Sequence, residues 1–274
     1  VLPLVRYAWS VRVLTSSPAR AEALRAAGVM PLVGDLDRPD SLGRLAGLAD
    51  AVLHLAPPPS QGLEDTRTRA LVRALARRGG VSRFVYVSTT GVYGDAGGAR
   101  IDETYALHPT TARAIRRVDA ERWLRAWARA SGVALAILRA PGIYAGDRAG
   151  GHPRERLRRG TPVLTAEDDV YSNHIHADDL ARACVAALYR AHPQRVINAC
   201  DDTEMRVGDY YDLAADLEGL PRLPRLTRAE AVQVLTEQQM SFLSESRRID
   251  NRRLRRELRL TLRYPTVREG LDRG

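Results

Sequence analysis

The stretch FVYVSTTGVYGD, Phe84 to Asp95, decides the fold. Its first part, Phe84–Val87, is an apolar run without the alternation of a half-exposed strand, so it reads as a strand covered on both faces. Its second part, Ser88-Thr89-Thr90-Gly91-Val92-Tyr93-Gly94, consists mostly of hydroxyls and glycines and suits a loop that approaches a ligand closely. Working outward, Val11–Thr15, Met30–Val33, Ala49–Leu55, Val133–Leu138 and Arg195–Ala199 read as further strands. Helical patterns lie between them. Ser17 caps one, with Pro18 at its first position and Gly28 at its end. Others run from about Pro39, from about Asp65 to Arg78, and from about Thr111 to Ala130. Strands alternating with helices predict βαβ units, hence an α/β protein with a doubly wound parallel sheet. After Asp201 the pattern turns helical, with prolines at 221, 224 and 265. That predicts a sheet domain over residues 1–200 and a smaller, mainly helical lobe over 201–274.

Composition narrows the chemistry. The 274 residues suffice for a large core, and the hydrophobic fraction of 45% is that of a globular protein. All 42 residues counted as Lys+Arg are arginine. Without lysine there is no Schiff base, no lysine general base and no ammonium to lower the pKa of a neighbouring tyrosine. Cys184 and Cys200 both sit in apolar runs and cannot make a disulfide framework, so a reduced, cytoplasmic setting is expected. No apolar run approaches the roughly 20 residues needed to span a bilayer. The formal charge of +9 comes from arginines mixed with Asp and Glu along the whole length, as on solvated helix faces. Only Arg154–Arg159 and Arg247–Arg259 are locally dense. Polyanion binding is therefore a minor reading, and no specific nucleic-acid partner is expected. A monomer or homodimer with a small-molecule substrate is.

In open parallel sheets ligands bind beyond the carboxyl ends of the strands. The residues there are Thr15-Ser16-Ser17, Gly34-Asp35-Leu36-Asp37, Ala56-Pro57-Pro58-Pro59, the Ser88–Gly94 loop, and Arg139-Ala140-Pro141-Gly142-Ile143-Tyr144. Together these segments carry a resemblance. FVYVSTTGVYGD, LRAPGIYAGDR (Leu138–Arg148), HIHADDLARA (His174–Ala183), VINACDD (Val196–Asp202) and the tail RRIDNRRLRRELRLTLRYPTVREGL stand in the order and spacing of extended short-chain dehydrogenases/reductases. The chain resembles an atypical member of this NAD-dependent epimerase/dehydratase family from about Val11 to Leu271.

The resemblance implies a Rossmann-type sheet that binds NAD or NADP. It places the family's first strand and Gly-rich loop upstream of Val1, so an N-terminally truncated member is expected. Thr15 and Ser16 fall where the ribose or its 2′-phosphate is read. Neither the Asp that selects NAD nor the Arg that selects NADP stands there, and neutral hydroxyls tilt the expectation slightly to NADP. Asp35 and Leu36 match the adenine-contacting pair, and Leu55, Ala56 and Pro57 the loop under pyrophosphate and ribose. Ser88, Pro141, Gly142 and Ile143 complete the implied cofactor set.

The catalytic pattern departs from the family. Its active members use Tyr-x-x-x-Lys on the helix after the serine/threonine loop. Aligned through Ala120-Glu121, Arg113 takes the tyrosine position and Arg117 the lysine position. Arginine cannot serve as a base, although Arg113 could bind an anion and Arg117 could donate to a ribose. They lie on one helix face at i, i+4, and solvated surface arginines are the equal alternative. Thr89 matches the family's serine/threonine and keeps a hydroxyl that can donate to a carbonyl oxygen. Tyr93 is a stand-in proton donor or a packed, hydrogen-bonded core residue. The resemblance puts Arg148, His174 and His176 on the substrate side, with residues 145–171 contributing to it. No metal is expected. Two functions follow: an NAD(P)-dependent oxidoreductase or epimerase/dehydratase-like enzyme acting on a small or nucleotide-linked substrate, or a non-catalytic dinucleotide-binding redox reader or scaffold.

Overall fold

A computed structural model of the protein describes residues 10–147 and 150–272. In chain order the elements are β1 (Arg12–Thr15), α1 (Ala21–Ala26), β2 (Met30–Val33), β3 (Ala51–His54), α2 (Thr66–Ala76), β4 (Arg83–Thr89), β5 (Arg100–Ile101), α3 (Ala112–Ser131), β6 (Ala134–Ala140), β7 (Gly142–Tyr144), α4 (Arg154–Arg158), β8 (Val163–Leu164), β9 (Tyr171–Ser172), β10 (His174–His176), α5 (Ala177–Arg190), β11 (Arg195–Asn198), β12 (Met205–Arg206), α6 (Val207–Glu218), β13 (Arg225–Leu226), α7 (Arg228–Val234), α8 (Glu237–Phe242), β14 (Arg248–Ile249), α9 (Arg252–Arg256) and α10 (Val267–Asp272).

The strands expected from the sequence form, and their order is that of a Rossmann-like sheet. β3 pairs with β4 in parallel, His54 opposite Tyr86, in a four-stranded sheet ordered β11-β6-β4-β3. A helix separates each sequential pair of these strands, as parallel connections require. β1 and β2 make a separate parallel pair, Thr15 opposite Val33. Burial follows the apolar runs. Phe84 to Ser88 are all buried in β4, and Leu135 to Ala140 in β6. Phe84, Tyr86, Leu124, Leu135 and Ile137 share one core with Leu71 and Leu75 of α2 and with Leu42 and Leu45. The outer pair is thinner: Met30 and Val33 are both exposed.

Two local expectations shift. The helix begun at Ser17 is a 3-10 turn over Pro18–Arg20 followed by the six residues of α1, and the one from Pro39 is 3-10 over Pro39–Leu45. Pro fixes φ at each start, but these segments offer few apolar positions to bury, and helical stability comes mostly from such burial.

The chain divides into two compact units. One holds residues up to Ser88, Ala112–Leu138 and Ala181–Val196; the other holds Thr89–Thr111, Arg139–Leu180 and the chain from Ile197. The division does not follow one cut near residue 200. It falls within β4, β6, α5 and β11, so sheet strands pass directly into loops of the second unit. That unit is built from short helices and from strand pairs of two or three residues, β7/β10, β8/β13, β9/β12 and β5/β14. Its cores gather Tyr144, Leu157, Tyr210, Leu213 and Leu271, and separately Leu164, Val170, Ala231, Leu235 and Leu243. Cys184 and Cys200 are buried free thiols. No helix of the described residues is long and apolar enough to cross a membrane.

Candidate functional site

In the first unit the candidate residues gather where the strands end. Thr15 closes on its own loop, its hydroxyl oxygen accepting from Ser17 N at 3.2 Å, while Ser16 is exposed. Asp35 N donates to Ser41 Oγ at 2.8 Å, and Asp35 Oδ1 accepts from Asp37 N at 2.9 Å. Arg67, at the start of α2, staples two loops. It binds both oxygens of Asp37, which holds that carboxyl below its usual range, and donates to Pro57 O at 3.2 Å. Leu36 packs against the core, whereas Leu55 is 55% exposed. Ala56 is half-buried, Pro57 exposed, and Ser88 buried with a hydroxyl that has no hydrogen-bond partner.

Arg117 is half-buried on α3. Its Nη1 donates to Tyr86 Oη and to Val87 O, both at 2.9 Å, tying the helix to the end of β4. Arg113, one turn earlier, is also half-buried. Beneath Tyr86 lies a polar chain that the sequence reading missed. His54 stacks on Tyr86 with ring centroids 5.3 Å apart, and its Nε2 lies 2.8 Å from Thr68 Oγ1. Thr68 Oγ1 donates to Asp65 Oδ2 at 2.7 Å, so its oxygen is left to accept from His54 Nε2–H. Burial first, and Arg117 second, push the His54 pKa down to about 3, so the ring is neutral. The signal was weak: a histidine in an apolar strand, with Asp65 readable only as the start of a helix.

In the second unit Thr89 is half-buried and caps a 3-10 turn over Thr90–Tyr93, its Oγ1 accepting from Gly91 N at 3.2 Å. That bond uses a lone pair and leaves the hydroxyl proton to give. Tyr93 is fully buried; its hydroxyl donates to Asn198 Oδ1 at 2.7 Å and its ring lies beneath the Arg139 guanidinium. Of the two roles read for Tyr93, the structure supplies packing and hydrogen bonding. Asn198 is held in turn, its N donating to Glu103 Oε1 at 2.8 Å and its Nδ2 to Asp250 O at 3.1 Å. Pro141 and Ile143 are half-buried and Gly142 is exposed.

β7 and β10 place Gly142 opposite His174 and Tyr144 opposite His176. Both histidines are buried, His174 stacked on Tyr210 at 4.3 Å and His176 tilted against Tyr264 at 3.9 Å. His176 Nδ1 accepts from Asp178 N at 3.2 Å, so Nε2 carries the proton, and that buried donor has no partner. His174 Nδ1 is likewise without one, and burial pushes the His174 pKa down to about 4. Asp179, fully buried, accepts from the backbone N of Arg263 and Tyr264. Asp201, not singled out from the sequence, is 3% exposed, has Oδ2 unpartnered, and is pushed up to about 8 by burial. Arg148 lies outside the described residues.

A family profile described as NAD(P)H-binding matches residues 3–191. The chain belongs to that family. That description is consistent with the short-chain dehydrogenase/reductase group that its motifs resemble. It is 28% identical over 225 residues to a GDP-6-deoxy-D-mannose reductase of Pseudomonas aeruginosa, spanning 72% of this chain and 74% of that protein. A functionally unknown conserved protein of Silicibacter pomeroyi is 33% identical, with a TM-score of 0.83 over 99% of this chain and 91% of that one. A UDP-glucose 4-epimerase of Thermotoga maritima, at 19% identity and TM-score 0.79 over 98% and 91% of the two chains, shows the same fold.

The described residues fit one end of a dinucleotide. Ser88 has an unused buried hydroxyl, Ser16 is exposed, and Leu55 offers an uncovered apolar side chain at a strand end. A strand followed by a Gly-rich turn and helix, the element that cradles a pyrophosphate, does not occur among them.

Proposed function

We propose that the protein is an NAD(P)-dependent oxidoreductase or epimerase/dehydratase-like enzyme acting on a small or nucleotide-linked substrate. The observation that carries this reading is Thr89, whose oxygen is engaged by Gly91 N while its proton is free for a carbonyl or alkoxide oxygen. The bound nicotinamide supplies or accepts the hydride. Thr89 orients the substrate oxygen and steadies negative charge as it develops there. Arg117 fixes the end of β4 and offers its remaining amino groups to a ribose hydroxyl. Arg113 stands in the tyrosine's place as an anion-binding group. Asp35, Leu36, Leu55, Ala56, Pro57, Pro141, Gly142 and Ile143 line the cofactor, with Thr15 and Ser16 at the ribose. Those neutral hydroxyls favour NADP slightly. His176 Nε2–H and Arg148 serve the substrate. The name of the P. aeruginosa relative, a reductase of a GDP-linked deoxysugar, supports a nucleotide-linked carbonyl compound. NADPH and NADH oxidation against nucleotide-linked keto sugars and simple aldehydes and ketones tests this. Turnover that falls when Thr89 is replaced by valine is expected; turnover indifferent to that change overturns the mechanism.

A second reading is a non-catalytic dinucleotide-binding redox reader or scaffold. It is favoured by the two arginines in the tyrosine and lysine positions, neither of which releases a proton at neutral pH. Cofactor binding without turnover across the whole panel would select it.

A further inference from the structure

The second unit carries a cleft of about 390 Å³, which touches the candidate site through Asp250, whose carbonyl accepts from Asn198. It is lined by Arg100, Ile101, Thr104, Tyr105, Asp250 and Arg252, among others. The pairing of β5 with β14 builds it, Arg248 opposite Arg100 and Ile249 opposite Ile101. Asp250 and Arg252 follow β14 directly, and Asp250 N donates to Ile101 O at 2.9 Å. One buried carboxylate organises two guanidinium groups. Asp250 accepts Arg252 Nε at 3.0 Å and lies 3.8 Å from Arg100 Nε, while both arginine side chains are more than half exposed. Arg252 is hydrogen-bonded at its inner nitrogen, whereas Arg100 meets Asp250 only at 3.8 Å and Glu204 through Nη1 at 3.4 Å.

Arg252 brings unused donors to this cleft, and Asp102, which also lines it, keeps Oδ2 without a hydrogen bond among the described residues. Asp102 is engaged by Thr104, through N at 2.8 Å and Oγ1 at 2.6 Å, and Asp250 Oδ1 also accepts Arg252 N at 2.8 Å. Arg252 Nη1 and Nη2 make no hydrogen bond among the described residues, and Arg100 Nη1 has only Glu204 at 3.4 Å. The arginine-dense run around Arg247–Arg259 is otherwise largely neutralised in pairs: Arg247 with Glu245, Arg248 with Glu204, Arg253 with Glu103 and Arg255 with Asp202. A guanidinium with a free fork matches the paired oxygens of a phosphate or carboxylate. The volume lies in the range of small-molecule sites, of about 300–1,000 Å³, and exceeds what a bare phosphate fills. Ile101 and the Tyr105 ring supply an apolar wall for the rest of the ligand.

We propose that this cleft binds a small organic phosphate, its oxygens held by Arg100 and Arg252 and its apolar body set against Tyr105. Phenyl phosphate is the probe, titrated calorimetrically and by ligand-observed NMR, with inorganic phosphate and a short single-stranded oligonucleotide in parallel. Saturable binding of phenyl phosphate is expected, tighter than that of inorganic phosphate. Arg252→Gln and Arg100→Gln, both at exposed side chains, should each weaken it about tenfold, the scale of one charge-assisted hydrogen bond. Arg256→Gln, on the same exposed run but outside the lining, should leave it unchanged. Absence of saturable binding overturns the proposal. So does an equal loss in Arg256→Gln, which would mean diffuse charge attraction, or an oligonucleotide that binds more tightly and displaces phenyl phosphate, which would mean a polyanion surface.

Discussion

Replacing Asp201 with asparagine should change how the stability of the protein depends on pH. Asp201 is buried, Oδ1 accepts from Thr203 N at 2.9 Å, Oδ2 has no partner, and burial pushes its pKa from 3.8 up to about 8. The folded state therefore holds a proton that the unfolded chain has already released, so this group's contribution to stability falls as pH rises between those values. His54 and His174 act with the opposite sign. Their pKa values are depressed from 6.5 to about 3 and about 4, so the folded state lacks protons that the unfolded chain has taken up, and stability is lost as pH falls below 6.5. Between pH 4 and 6.5 Asp201 opposes His54 and His174; burial also lowers His152 and His176 and raises Glu103 and Asp169, and the histidines set an upward slope. Above 6.5 the histidines are silent and Asp201 acts alone. Stability should peak near pH 6.5 and fall by about 1.4 kcal/mol per pH unit on the alkaline side, or about 2 kcal/mol by pH 8. For a chain of this size that corresponds to a midpoint lower by roughly 4–8 °C. The asparagine side chain would keep the Oδ1 acceptor and cannot titrate. Thermal unfolding followed by circular dichroism across this range should show the alkaline decline in the wild type and its absence in Asp201→Asn, with a steeper acid arm in the variant. A wild-type curve flat from pH 6.5 to 8, or a variant that still declines there, refutes the reasoning.

Thr89→Val should lower turnover about a hundredfold on a verified substrate, the usual loss for one such donor, while Thr89→Ser retains most of it; steady-state kinetics decide. Arg117→Met removes both bonds to β4 and leaves the Tyr86 hydroxyl unsatisfied, which should cost about 2 kcal/mol in urea unfolding. Gly270→Ala would set a Cβ against the Tyr144 hydroxyl and 2.6 Å from its ring, so an overpacking loss of about 1–3 kcal/mol is expected by the same measurement.

The first unit was legible because its signals are local. Phe84–Val87 is apolar without alternation and lies in a strand buried on both faces, and Gly132, at φ 73°, follows α3 where the sequence ended the helix. The second unit was not legible in the same way. β5 and β14 are each two residues long and pair across about 150 positions, too short for a period and too distant for a turn signal. The side chains expected at the site were recoverable only through motif spacing, and their partners were not. Nothing near Tyr93 in sequence announces Asn198 as its acceptor, and nothing near Arg117 announces Tyr86 and Val87. Asp201 was invisible for a related reason: an Asp-Asp pair after a strand reads as solvated loop, and only the closed environment around the first of the two keeps it protonated.

The absence of lysine and the geometry around Arg117 bear on each other. A lysine at this position would present one ammonium, able either to reach a ribose or to brace the strand. Arg117 commits one nitrogen, Nη1, to Tyr86 Oη and Val87 O and retains Nη2 and Nε. Its planar fork can thus brace the end of β4 and still donate outward, something a single ammonium does poorly. The substitution does not restore the base. A tyrosine at position 113 would need a cation to lower its pKa, but an arginine stands there instead, and burial raises the pKa of nearby Tyr86 despite the opposing pull of Arg117. Proton transfer by a phenolate is therefore lost from α3, while positioning by a guanidinium is kept. Under the proposed function, turnover is therefore expected to depend on how well Thr89 steadies an oxygen rather than on how readily a side chain gives up a proton.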